Sequence, residues 1–215
     1  TTAKAKYVAT FATSFVLDGQ DNEFVPYRAY QLVPEGASGP GSTGWTSASK
    51  DINWKATFVL DNKYLYISAD VTDNQLRTDT TQQAWQGDAM EFYLGFYNAR
   101  YLKNQHPKSS PRTAGDWRIG FNCLGQTTLD GGAGTTAPGV ESTVFQKLTG
   151  DGYIIEARIV LDSMAANKHF TLANHMFMPL KIDCNDWDVA YSTTDRKQIA
   201  QWGVAGGTVT ESSWL

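Results

Sequence analysis

The chain has 215 residues and carries 18 Lys and Arg against 22 Asp and Glu, so its formal net charge is −4. Its 7 Trp, 10 Tyr and 10 Phe make it rich in aromatic side chains. A mildly acidic chain lacks the basic surface that neutralises phosphates, and no apolar run reaches the roughly 18 residues of a membrane span, so neither nucleic acid nor a membrane is an expected partner.

In chain order, five segments alternate apolar and polar residues and are predicted to form strands. In the second segment, one side carries Met90, Phe92 and Leu94, and the other carries Glu91 and Tyr93. A period of two with one apolar face is typical of half-buried antiparallel strands. The five segments are Lys63–Val71, Ala89–Tyr97, Trp117–Cys123, Gly152–Leu161 and Met178–Asn185.

Strands that follow one another without long helices predict an all-β fold, an antiparallel, jelly-roll-like β-sandwich with long loops. A single helical turn is expected at Asp162–Lys168. The length suits one module covering residues 1–215. The first residue is Thr1 rather than methionine, so we expect a mature or excised module of a secreted or extracellular protein. Long loops, which often carry binding surfaces, are predicted at Glu35–Ser49, Ala99–Ala114 and Gly131–Gly139.

The stretch Trp85–Leu94 has the chemistry of a sugar-binding site. Trp85 lies just before a predicted strand, where its indole can form a flat apolar plate, and Glu91 lies on the polar face of that strand. A pyranose has one apolar face of C–H groups, which an aromatic ring can cover. It also has a rim of hydroxyls, to which charged side chains make strong hydrogen bonds.

Charged residues of both signs lie on the polar faces of other predicted strands. By the same alternation, Arg118 and Asp183 project from those faces, and Arg196 precedes the short apolar stretch that ends at Trp202. These groups suit the donors and acceptors of a sugar, but ordinary ion pairs on a solvated sheet explain the spacing as well. Because Trp85, Glu91 and Arg118 are not assigned to the core, their replacement should weaken sugar binding without greatly lowering the melting temperature.

Acidic residues cluster in two places. Asp18, Asp21 and Glu23 crowd one turn, and Asp73 and Asp88 flank the loop that leads to Trp85. Calcium collects about six to eight oxygen ligands from such loops. The alternative is turn chemistry, in which Asp bonds to its own backbone.

The two cysteines, Cys123 and Cys184, fall on the core-facing sides of their predicted strands. If those strands are neighbours, a disulfide is geometrically allowed. Otherwise the residues are buried free thiols.

Two other functions have to be weighed. Haem binding of the kind found in DOMON-type cytochrome domains needs a histidine and a methionine as ligands. A glycosidase needs two carboxylates across the scissile bond, and Asp88, Glu91 and Asp183 could be cast in that role. Neither function has a supporting motif, so we expect no catalysis. The residues available for haem are His106, His169, His175, Met164, Met176 and Met178.

Six short motifs follow one another along nearly the whole chain. They are the Asp-Gly turn Leu17–Glu23, the strand Asp61–Ile67 continuing into Val71–Asp73, Trp85 three residues before Asp88–Phe92, Arg118 in the next strand, the Gly-Tyr strand Gly152–Ala157, and the Asn185–Asp186 pair with the later Arg196 and Trp202. In this order they resemble the family 9 carbohydrate-binding modules, which are attached to secreted enzymes that degrade polysaccharides.

The resemblance implies a role for each site residue. Trp85 would form one wall of a slot for the end of a sugar chain. The residues that would hydrogen-bond the hydroxyls are Glu91, Arg118, Asp183 and Arg196, although the family usually has an amide at the position of Asp183. A second wall comes from a tryptophan shortly after the position of Trp202. Here Gly203–Glu211 contains no aromatic residue, and Trp187 is the candidate to replace that wall.

The resemblance also implies a function and a cofactor. It predicts a non-catalytic module that binds a polysaccharide or oligosaccharide and docks a catalytic domain of the same polypeptide onto it. It favours structural calcium, with Asp18, Asp21, Asp73 and Asp88 as expected ligands. Family members finish with a short apolar strand. This sequence ends at Leu215, where that strand should begin, so we expect either a module truncated before its last strand or one that closes its sheet differently.

Overall fold

A computed structural model of the chain describes residues 6–7, 15–39, 42–77, 86–98, 115–129, 139–165, 169–173, 176–188 and 198–203. In chain order its elements are β1 (Lys6–Tyr7), a 3₁₀ helix (Asp21–Tyr30), β2 (Gly36–Ser38), β3 (Ile52–Leu60), β4 (Tyr64–Asp73), β5 (Ala89–Gly95), β6 (Asp116–Asn122), β7 (Thr127–Leu129), β8 (Val140–Gln146), β9 (Gly152–Val160), α1 (Leu161–Met164), β10 (Leu180–Asp186) and β11 (Gln198–Trp202).

The strands form two sheets. One has five strands in the order β1-β3-β4-β9-β8, and the other has six in the order β2-β11-β10-β5-β6-β7. Neighbouring strands are antiparallel, except that the short β1 runs parallel to β3. The predicted all-β sandwich is therefore confirmed.

The apolar faces of the two sheets meet in one core. Phe58 of β3 packs edge-to-face on Phe92 of β5, with ring centroids 5.9 Å apart, and Phe92 packs similarly on Phe121 of β6. The buried indole of Trp54 donates a hydrogen bond to the Ala200 carbonyl of β11 over 3.1 Å. This bond ties the five-stranded sheet to the six-stranded one.

All five predicted strands are present, but six others were not predicted. Strand β3 was missed although its apolar residues alternate with Asn53, Lys55 and Thr57. Only Val59 departs from the pattern, and it packs with Phe24 and Tyr27 of the 3₁₀ helix. Strand β2 corrects the prediction of a continuous loop at Glu35–Ser49, since it pairs with β11. The other missed strands are β1, β7, β8 and β11. The predicted loops at Ala99–Ala114 and Gly131–Gly139 lie outside the described residues, apart from Gly139.

Helical structure is limited in the described part of the chain. The turn predicted at Asp162–Lys168 forms as α1, one residue earlier than expected. The 3₁₀ helix was not predicted, because its two buried residues Phe24 and Tyr27 are three apart and leave no sustained apolar stripe. Neither helix is long and apolar enough to cross a membrane.

The two cysteines are free thiols, and both are buried. Cys184 lies on β10 and Cys123 directly follows β6, and β5 lies between those strands. The condition for a disulfide, adjacent strands, is therefore not met. Burial raises the pKa of the Cys123 thiol to about 12, so it remains protonated at neutral pH.

The bond from Trp54 to Ala200 predicts a measurable loss of stability. Trp54→Phe should lower the free energy of unfolding by about 1–3 kcal/mol, because the Ala200 carbonyl loses a buried donor. Trp45→Phe is the matched control, since its indole donates to the nearby Ile52 carbonyl at a half-buried site. Urea unfolding measures both. Equal effects would contradict a special role for the bond between the sheets.

Candidate functional site

The face of the six-stranded sheet that points away from the core carries polar side chains on four adjacent strands, and we call it the polar face. The register arranges its side chains in two rows, Gln201–Asp183–Glu91 on β11, β10 and β5, and Lys181–Tyr93–Arg118 on β10, β5 and β6. The expected common face of Glu91, Arg118 and Asp183 therefore exists. Their contact with a sugar stays a prediction.

Glu91 is the centre of this face. Its Oε1 lies 3.6 Å from the Arg118 guanidinium Nε, and its Oε2 accepts a hydrogen bond from the Asn185 amide over 3.1 Å. Asp183 lies directly opposite on β10. Glu91 is thus held by side chains from both neighbouring strands, β6 and β10. The backbone hydrogen bonds of the sheet fix the positions of these strands.

Asp183 is held by its own set of donors. Lys181 donates to its Oδ2, and the Gln201 amide donates to its Oδ1 over 3.2 Å. The Lys181 ammonium also lies 3.9 Å from the centroid of the Tyr93 ring. Burial raises the pKa of Asp183 and lowers that of Lys181, and the charge of each partner opposes the shift of the other.

The alternative of ordinary ion pairs on a solvated sheet does not describe these groups, because they are not solvated. Glu91 and Asp183 are buried, and Arg118 is mostly buried. Alternation along a strand tells which face a side chain occupies, but it does not tell what covers that face. Ion pairing does not exclude a role in binding here, because buried charges must be paired whether or not a ligand is present.

The remaining predicted site residues differ in their outcome. Trp85 and Arg196 lie outside the described residues. Trp187 is 2% exposed, and its backbone N–H donates to Asp88 over 2.8 Å. A buried indole offers no open plate, so the prediction that Trp187 replaces the second wall is corrected. Its backbone N–H contributes to the acidic cluster instead.

Sequence reasoning missed three partners of this site. Lys181 and Asn185 share the parity of Asp183, so alternation along β10 could have identified them. Gln201 lies on β11, for which no strand was predicted. Nothing in the sequence alone indicates that its amide reaches Asp183.

One acidic cluster joins the two sheets at one end. Asp73 ends β4, Asp88 precedes β5 and Asp186 ends β10, and one ligand oxygen from each lies within 4.8 Å of the others. All three are 0% exposed. The pKa of Asp88 is raised to about 9. Burial is the largest cause, and the negative charge of the nearby Asp73 carboxylate is the second. The predicted pair Asp73 and Asp88 is thus brought together, and Asp186 is the residue that was missed.

The other acidic cluster differs from the prediction. One carboxylate oxygen each of Asp18, Glu23 and Glu156 lies within 4.8 Å of the others. Asp21 is not part of this cluster and instead forms an ion pair with Arg28 at 3.1 Å. The long-range partner Glu156 comes from β9 and accepts from the backbone N–H of Asp18 and of Gly19. Burial raises the pKa of Glu156 to about 7.

The haem alternative is not favoured. His169 has a side chain 73% exposed and lies 4.0 Å from Asp162, whereas Met164 is part of the core. Met176 and Met178 pack against the core, and His106 and His175 lie outside the described residues.

The described residues thus form a β-sandwich with a charged, internally paired polar face on one sheet, the architecture of a ligand-binding module. The chain belongs to the family described as "Carbohydrate family 9 binding domain-like", whose sequence profile matches residues 35–212. This is a family of non-catalytic carbohydrate-binding modules, so the glycosidase alternative is set aside.

Solved structures show the same fold. Two structures of a family 9 carbohydrate-binding module from Caldicellulosiruptor kristjanssonii, one with cellotriose and one with glucose, are each 23% identical with a TM-score of 0.62. Each match covers 92% of this chain, and 83% and 85% of those chains. A putative carbohydrate-binding protein from Bacteroides uniformis is 11% identical, with a TM-score of 0.57 over 95% of this chain and 91% of that one. A comparison with curated protein sequences gave no match.

The burial of Glu91 predicts an effect on stability as well as on binding. Glu91→Ala should lower the free energy of unfolding by about 1–3 kcal/mol, because Asn185 loses a buried acceptor. Glu141→Ala is the control, since Glu141 pairs with Arg158 at an exposed site and its loss should cost less than about 1 kcal/mol. Urea unfolding that gives equal values for the two variants would contradict the buried network.

Proposed function

We propose that the polar face binds the hydroxyls of a neutral sugar and that Trp85 stacks on the apolar face of the same ring. The observation that carries the proposal is the paired cluster of Glu91, Arg118 and Asp183 on adjacent strands. Carboxylates accept hydrogen bonds from hydroxyls and a guanidinium donates them, so the cluster can match a rim that does both.

The charge of the cluster supports a neutral ligand. Glu91 and Asp183 balance Lys181 and Arg118, so the described residues of the face carry no surplus charge to attract a charged sugar. A sugar carboxylate at the centre would also face two protein carboxylates. The two neighbouring structures hold cellotriose and glucose, which supports glucose-containing oligosaccharides as the first ligands to test.

The number of aromatic plates bears on the mode of binding. Trp187 is buried and Gly203–Glu211 has no aromatic residue, so a slot with two tryptophan walls has no support. We propose recognition with one plate, which is weaker than recognition in a two-walled slot and suits the interior of a sugar chain.

We also propose that calcium stabilises the fold at the two acidic clusters. Asp73, Asp88 and Asp186 bring three buried carboxylates together, an arrangement that repulsion opposes unless a cation or protons neutralise it. In the other cluster, Glu23 Oε2 and Glu156 Oε1 accept no hydrogen bond from the residues that the structure describes. Carboxylate oxygens are the ligands that calcium prefers.

The biological role follows from such binding. A module without catalysis is useful when it holds a catalytic domain of the same polypeptide near its substrate, because tethering raises the effective concentration. We therefore propose an accessory module of a secreted enzyme that acts on polysaccharides.

Loss of the proposed plate should weaken binding. Trp85→Ala should lower the affinity for the best glycan-array ligand by about 1–3 kcal/mol, measured by isothermal titration calorimetry. Phe145→Ala removes an exposed aromatic side chain from β8 of the other sheet and should leave affinity unchanged. If Trp85→Ala binds as the wild type does, Trp85 is not the plate. If the wild type binds no glycan on the array, the proposed function is wrong.

Calcium should raise the melting temperature. At a calcium concentration about 100-fold above Kd, a site present only in the native state adds about 2.7 kcal/mol, or about 5–10 °C for a chain of this size. Asp73→Asn should reduce this shift, whereas Asp162→Asn, at an exposed position, should not. Identical melting curves of the wild type in calcium and in EDTA would refute the cofactor.

A further inference from the structure

Lys181 is the most deeply buried charge of the polar face. Its residue is 0% exposed, whereas the side chain of Arg118, the other cation, is 15% exposed. Solvent reaches part of the Arg118 side chain and 4% of the Asp183 side chain, but none of the Lys181 side chain, whose ammonium lies 3.9 Å from the centroid of the Tyr93 ring. The two cations therefore have different roles at this face.

We propose that Lys181 is a positioning residue, which holds the Asp183 carboxylate charged and oriented for the sugar hydroxyls without touching the sugar itself. This inference rests on the proposed function, because it assigns the role of Asp183 within that site. It names a residue that determines recognition from beneath the binding surface.

The geometry supports an orienting role. Lys181 and Asp183 are two residues apart on β10, so their side chains leave the same side of the strand, and the ammonium donates to Oδ2. Gln201 donates to Oδ1 from the next strand. Both carboxylate oxygens are thus held, which fixes the plane of the group. A fixed acceptor loses little conformational entropy when a hydroxyl binds.

The electrostatics support a role in keeping the charge. The groups that face Asp183 are Glu91 and Tyr93 of β5, Arg118 of β6, Gln201 of β11 and Lys181 of its own strand. Burial and Glu91 both raise the pKa of Asp183, and Lys181 is the strongest influence that lowers it. Burial also raises the pKa of Tyr93, so that ring stays neutral and adds no charge.

Removal of Lys181 therefore has a predictable sign. Without the ammonium, the pKa of Asp183 rises further, and the carboxyl takes up a proton at a higher pH than in the wild type. A protonated carboxyl has lost the charge that strengthens its hydrogen bonds from hydroxyls. Affinity should then fall, and it should fall more as the pH is lowered.

The test is a double-mutant cycle with Lys181→Met and Asp183→Asn, and cellotriose is the titrant in calorimetry. Lys181→Met alone should weaken binding about tenfold at neutral pH and make the affinity fall as the pH is lowered. In the Asp183→Asn background, Lys181→Met should change the affinity less than about threefold and add no pH dependence, because an amide has no charge to preserve.

The double variant also guards against misfolding. The double variant leaves neither charge buried without its partner, so it remains measurable if Lys181→Met unfolds. Its affinity for cellotriose is then compared with that of Asp183→Asn. An equal loss in both backgrounds, without a change in pH profile, overturns the positioning role. Absence of wild-type binding to cellotriose and to every glycan on an array instead overturns the proposed function. In that case the Asp183 pKa, followed by NMR in the wild type and in Lys181→Met, still tests whether Lys181 keeps the charge.

Discussion

The need to neutralise buried charge governs the outer face of the six-stranded sheet. The charged groups of this face are all largely removed from water: Glu91, Asp183, Lys181 and Arg118. An unpaired charge in such a buried position would cost several kcal/mol. Each acid is therefore held by a base and by an amide, Asn185 or Gln201. The consequence is a set of donors and acceptors whose positions are fixed before any ligand arrives. Such preorganisation lowers the entropy lost on binding.

The core of the sandwich determines where this face lies. The same strands that present Glu91 and Asp183 outward bury Met90, Phe92 and Ile182 on their other side. A slip of one residue in the register would move the carboxylates into the core, so packing of the apolar face fixes the register of the polar one. At one end of the sandwich, the cluster of Asp73, Asp88 and Asp186 links the two sheets, which is where a cation would contribute most to holding them together.

The sequence predicted what depends on alternation along one strand. It gave the sandwich, five of its strands, and the shared face of Glu91, Arg118 and Asp183. It could not give contacts that depend on distant segments, such as Glu156 with the Asp18 turn or Gln201 with Asp183. It also overestimated exposure, because the polar face of the six-stranded sheet is covered on the side that alternation treats as solvent. The prediction that Trp187 forms an open plate is an error of the same kind, since this residue is buried.

The most direct measurement is an NMR titration of the isotope-labelled chain with cellotriose. The account predicts that the largest chemical-shift changes occur at the guanidinium N–H of Arg118, the side-chain amide of Gln201 and the backbone of β5 and β10, with little change on the five-stranded sheet. Saturable changes confined to the outer face of β8 and β9, with the polar face unaffected, would contradict it.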